Sequence, residues 1–179
     1  MQTEMQPEAL MLYKLIILYI LDKVEFPLTN VQLTNFILDK GYTNYFNIQQ
    51  VLAELLEDHF ISCNAVRNSS YYEITSSGGE TLSFFYDKIS DAIKNDIDEY
   101  LKENKYKMRE ENSIFADFYE AHKNEYITTL KVLERGNPII EIKLSAASEA
   151  EASMICENWS KKSSEIYARI FQSLTTDVE

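Results

Sequence analysis

The sequence is poor in the residues that punctuate chains and carry chemistry: 4 Gly, 3 Pro, 2 Cys, 2 His and 1 Trp among 179 residues. With 45% hydrophobic residues, so little Gly and Pro excludes a linker or a disordered tail. The two cysteines, Cys63 and Cys156, lie far apart and show no paired-ligand spacing. That excludes a disulfide scaffold and leaves two reduced thiols in a cytoplasmic protein as the expectation. Neither His59 nor His122 stands near a Cys or a paired acid, so no metal site is expected. Phosphate loop, dinucleotide fingerprint and nucleophile elbow are all missing. The expectation is therefore no enzyme, no cofactor and no catalytic residue.

Long hydrophobic runs are also missing. The longest, "ALMLYKLIILYIL" at residues 9–21, is broken by Lys14 and is too short to span a bilayer. The opening "MQTEMQPEAL" has no basic n-region, so it does not read as a signal peptide. No membrane partner is expected.

Positive charge is the last shortage. There are 17 Lys and Arg against 29 Asp and Glu, a formal net charge of −12. Nucleic-acid binders draw much of their affinity from neutralising phosphates, which this balance opposes. A locally neutral reading surface remains open.

What is present is a series of helix signals. Pro7 suits a first turn, and a helix from about Pro7 to Val24 follows. Its apolar residues run nearly all the way round, which means burial on more than one side. One side can face its own domain; the other calls for a partner, so a homodimer is expected. In "LTNVQL", Thr29 and Gln32 form a capping box, and Leu28 and Leu33 occupy staple positions. That helix ends at Gly41, suited to a left-handed C′ conformation. In "YTNYFNIQQVLAELLEDHF", Asn47 and Gln50 repeat the box, with Phe46 and Val51 as staple. This places a third helix at about Ile48 to His59. Ile48, Val51, Leu52, Leu55 and Leu56 share one face; Gln49, Gln50, Ala53, Glu54 and Glu57 share the other.

"FISCNAV" (60–66) and "YYEIT" (71–75) read as strands around the turn "RNSS". Thr75 then caps a fourth helix that buries Leu82, Phe85 and Ile89, with Gly78 close to the hairpin. From Ser90 to Asn112 the chain is polar, with Ile93, Ile97 and Leu101 four apart, a connector helix with a narrow stripe. Its "KENKYKMR" (102–109) is the densest positive segment and reads as solvated. "SIFADFYEA", "EYITTLKVLE" and "IIEIKLS" read as three strands, the last two joined by a turn at Gly136-Asn137-Pro138. A helix from about Ser148 follows, with Glu151 completing a capping box and Ile155, Trp159, Ile166 and Ile170 as its buried stripe.

The expected class is α+β. It comprises a winged helix-turn-helix (1–90), a connector helix (91–112) and a small antiparallel sheet under a long helix (113–179), the last a dimerisation or sensor domain. In the segment "YYEITSSGGETL", Tyr72, Ile74, Thr75, Gly78 and Leu82 resemble the pattern that closes the wing in PadR-like and MarR-like regulators. The whole chain resembles an uncharacterised family of about 180-residue Gram-positive proteins with an N-terminal winged helix, catalogued as a domain of unknown function. The first helix, "LTNVQLTNFILDKGYTNYFNIQQ" and "YYEIT" carry that likeness. It implies a regulator-like fold and brings no ligand or reaction.

The function that follows is a transcriptional regulator whose partner is double-stranded DNA. Gln49 and Gln50 would read bases, since amides pair bidentately with adenine, and Ala53 would lie on the same face. Asn44 and Tyr45 would reach phosphates, and Arg67 and Asn68 would meet DNA from the wing tip. A dimer and the backbone amides of helix N-termini would supply the rest of the phosphate affinity. Two alternatives stand beside this reading. One is a winged helix used for protein contacts: residues 1–90 hold five basic residues against eleven acidic ones, a net of −6. The other is a ligand sensor in the C-terminal domain, for which the sequence offers no convergent polar set and no identifiable effector.

Overall fold

The computed structural model describes residues 6–66, 69–134 and 137–176. The chain divides into two compact units, Met1–Arg109 and Glu110–Glu179.

The first unit is built around α1 (Pro7–Val24). Pro7 opens it, as the sequence predicts. Every residue from Leu15 to Leu21 is buried. The expected need for a second subunit to cover this helix does not hold. Its surroundings come from its own unit: α3 (Tyr45–Glu57), β3 (Ser69–Ile74) and α4 (Ser76–Phe85) all pack on it. The Tyr19 hydroxyl also donates to Asp98 Oδ1 at 3.1 Å, on α5 (Asp91–Ser113). An all-round apolar helix is here a central helix.

A two-residue strand, β1 (Leu28–Thr29), leads into α2 (Asn30–Asp39). Thr29 and Gln32 form the expected capping box, and Leu28 and Leu33 are fully buried. Gly41 takes φ +67°, the left-handed conformation that ends the helix. After α3, β2 (Ile61–Val66) pairs antiparallel with β3, and β1 joins the far side of β3. The sheet order is β1-β3-β2.

The link from α3 through the hairpin to α4 is tightly specified. His59 adopts φ 59°, and the Phe60 N–H donates to the Leu55 carbonyl, closing α3. Thr75 caps α4: its Oγ1 accepts from the Gly78 N–H at 3.1 Å and donates to the His59 carbonyl at 2.8 Å. Thr75→Ala removes both bonds and should lower stability by about 1 kcal/mol, the usual size of a lost cap. A thermal melt checks this; an unmoved transition would mean that α4 is held by other contacts. Leu82 and Ile89 are buried as expected, and Phe85 is half-buried.

The segment read as a connector is part of this unit's core. Ile97, Leu101 and Met108 of α5 are buried in it. Tyr42 donates to Asp96 Oδ2 at 2.6 Å and ties the α2–α3 link to the same helix.

The second unit holds three antiparallel strands in sequence order, β4 (Ile114–His122), β5 (Glu125–Glu134) and β6 (Asn137–Ala146). Asn137 and Pro138 belong to β6, and Gly136 lies outside the described residues. One face carries α6 (Glu149–Thr175). Ser148 caps α6, but the Glu151 carboxylate accepts from the Ala147 N–H at 2.7 Å, one residue before the expected partner. Trp159 and Cys156 are buried against Leu130. Ile155 and Ile166 are half-buried, whereas Ile170 is exposed. The expected stripe therefore stops one turn early: Ile166 is the last helix residue that packs on the sheet cluster.

Candidate nucleic-acid interface

Helix α3 starts a turn earlier than its sequence pattern suggests. Its N-cap is Asn44, whose side chain accepts from the Asn47 N–H at 3.0 Å. Asn47 sits at the third helical position and donates to Thr43 Oγ1 at 2.8 Å. The expected Phe46–Val51 staple is absent, because Phe46 lies inside the helix and is 80% exposed. Apolar periodicity begins only at Ile48, so this extra polar and aromatic turn left no trace in it.

The rest of the helix follows the pattern. Ile48, Val51, Leu52 and Leu55 are buried, and Leu56 is half-buried. The outward face carries Asn44, Tyr45, Phe46, Gln50, Ala53 and Glu57, all exposed. Tyr45 and Phe46 meet edge to face, with ring centroids 6.2 Å apart.

The two glutamines expected to read bases differ. Gln49 is half-buried and engaged with Asn30 of α2 in a reciprocal amide pair. Asn30 Nδ2 donates to Gln49 Oε1 at 3.0 Å, and Gln49 Nε2 donates to Asn30 Oδ1 at 3.2 Å. This pair ties the two helices together. Gln50 is exposed and donates to Glu54 Oε1 at 3.0 Å along its own helix. Arg67 and Asn68 lie outside the described residues.

Charge on this face is arranged around Lys14 of α1. Its ammonium lies 3.0 Å from Glu54 Oε2 and 2.9 Å from Asp58 Oδ2. Burial pulls the Lys14 pKa down, but hydrogen bonds to Asp58 and Glu54 outweigh it and leave the group above its ordinary value. The hydrogen bond from Gln50, then Lys14, hold the Glu54 carboxyl below the usual carboxylate range. Lys14, a cation beside this face, is thus already paired with carboxylates. Residues that sequence reasoning missed are Asn30, Phe46 and Lys14. Asn30 and Lys14 reach α3 only through tertiary contact. Phe46 would have emerged had the cap been placed at Asn44.

Among the described residues no group of three or more His, Cys, Asp or Glu converges as a metal site would require. No described helix is long and apolar enough to cross a membrane.

The profile of a domain of unknown function, DUF4364, matches residues 13–174. The chain belongs to the DUF4364 family. Neither the curated proteins nor the solved structures offer a match to it. The DUF4364 match runs from α1 through α6 and so spans both units.

Proposed function

We propose that the first unit is a winged helix-turn-helix, and that this DUF4364 protein is a DNA-binding regulator that reads duplex sequence with the exposed start of α3. The observation that carries the reading is the element order. Three helices are followed by a two-stranded hairpin, and a short strand between α1 and α2 completes the β1-β3-β2 sheet. In helix-turn-helix proteins of this kind the N-terminal turns of the second helix of the motif enter the major groove. Here that segment presents Asn44, Tyr45, Gln50 and Ala53 outward.

The division between the glutamines sharpens the reading. Gln50 is the amide available to a base; Gln49 holds α2 to α3. Gln50→Ala should remove sequence preference, by about 1–3 kcal/mol for a bidentate amide–adenine pair. Gln49→Ala should instead lower the melting temperature, because it removes both bonds of the amide pair and leaves Asn30 only its longer contacts to Tyr72 and Thr34. Titrations of both variants against a preferred and a scrambled duplex, with parallel melts, test this. If Gln50→Ala leaves the preference intact, the base-reading role fails.

A second reading, a protein-contact surface, is favoured by two observations. Glu54 and Glu57 lie on the face a duplex would approach, and Phe46 is 80% exposed without a basic neighbour on its helix. Acidic, aromatic surfaces suit protein partners better than phosphates. Replacing Glu54 and Glu57 by Gln separates the two. The DNA reading expects stronger non-specific binding at low salt; the protein-contact reading expects no gain.

A further inference from the structure

We propose that the second unit pairs with a second copy of this chain through β6, joining two three-stranded sheets into one of six strands. The inference is independent of whether the first unit binds DNA.

Strand β6 is an edge. It pairs with β5 on one side only, so alternate backbone N–H and C=O groups along its length point away from the sheet. An open edge of ten residues is a template for another strand unless it is blunted. The cover over it is also thin. Helix α6 packs mainly on β4 and β5 and least on β6. On the helix side of the sheet, Ile140, Ile142 and Leu144 form a row; the first two are half-buried and Leu144 is 43% exposed.

The sequence of this edge selects itself as the partner. Consider an antiparallel pair related by a two-fold axis at Ile142. Glu141 of each strand then stands opposite Lys143 of the other, twice over. Ile142 faces its own copy, and Ile140 faces Leu144, extending the apolar row across the junction. Opposite charges and branched apolar side chains directly across a ladder each contribute favourably. Moving the axis one residue either way keeps the apolar row on one face but puts Glu141 opposite Glu141 or Lys143 opposite Lys143. Of these three registers, only the one centred on Ile142 pairs opposite charges. Pro138 lies near the end of β6, where a missing N–H is tolerated on an edge. Strand β4, the other edge, is less suited: it carries a register shift between Glu120 and His122, and a two-fold at its midpoint, Phe118, would set Asp117 opposite Tyr119 and pair no opposite charges.

The test uses the full chain and light scattering at micromolar concentration. Wild type should show twice the 20.8 kDa chain mass. Glu141→Lys alone, or Lys143→Glu alone, places like charges opposite each other twice and should weaken the dimer by about tenfold or more. Mixing the E141K and K143E chains makes every cross-pair opposite again, so the mixture should return to dimer mass. This recovery separates a lost interface from a lost fold, as do circular dichroism spectra of each variant. A wild type at monomer mass overturns the proposal. So does a dimer that both single variants keep, or a pair of folded monomeric variants that stay monomeric when mixed.

Discussion

Gly78→Ala should destabilise the first unit by about 3 kcal/mol or more, beyond the ordinary range for one added methyl in a packed site. The reason is a backbone contact. A Cβ at position 78 would lie 2.0 Å from the Phe60 carbonyl oxygen. That carbonyl accepts the Thr75 N–H at 3.0 Å, so it cannot swing aside without uncapping the start of α4. The closest clash is therefore with main chain, and the Ile74 Cγ1, 3.0 Å from the same point, narrows the space further. Gly79 is the matched control. A Cβ there meets nothing within 4 Å, and its position inside α4 favours Ala. Gly79→Ala should stabilise by about 0.4–1 kcal/mol through the unfolded chain. Urea titrations of the two variants give the comparison. Equal midpoints would show that α4 does not sit against Phe60 as described.

Trp159→Ala should be comparably severe in the second unit. Trp159 is 2% exposed, and its indole N–H donates to the Lys131 carbonyl at 3.1 Å. The buried cluster under α6 is small, with Leu130 and Cys156 as its other fully covered members. Removing the largest side chain of so small a core should cost about 3–5 kcal/mol. Trp159→Phe keeps a ring in the site and gives up the hydrogen bond, so its loss should be well under half as large. Because Trp159 is the sole tryptophan, wild-type indole emission follows this unit during unfolding. The variants are read by circular dichroism. A Trp159→Ala protein that melts within about 2 °C of wild type would contradict the packing described.

These predictions concern features that local sequence reveals to different degrees. The caps at Thr29, Thr75 and Ser148 were legible because each needs only residues within four positions of itself. Gly78 was recognisable as a close approach from its place between the hairpin and the start of α4, though the partner atom on Phe60 was not. Strand β1 was invisible: two residues carry no periodicity, and Leu28–Thr29 become a strand only when Tyr71 and Tyr72 arrive beside them. The pattern of α1 showed that it is buried all round, but periodicity cannot say by what; its own unit supplies the cover. The same limit applies to Gln49. Polar spacing put it on the outward face, and a tertiary contact to Asn30 took it out of reach. Ile170 fits the helical stripe yet lies beyond the last turn that packs on the sheet cluster, so it stays exposed.

The electrostatic question is narrower than composition suggests. A net charge of −12 argues against non-specific DNA affinity. Base reading by one amide asks for little positive charge, provided that backbone contacts set the register. Lys14 does not supply it, since Glu54 and Asp58 already hold its ammonium. Binding should therefore show a shallow salt slope, with few counterions released.

The measurement closest to the central claim is selection of duplexes from a random pool by the full-length protein, followed by anisotropy titration of the enriched site and its scrambled version at low salt. The account predicts an enriched site bound at least about tenfold more tightly than the scrambled one, the smallest discrimination expected from a direct amide contact with supporting backbone contacts. Enrichment of no sequence, or equal affinity for both duplexes, would contradict it and leave the exposed face of α3 as a surface for protein partners.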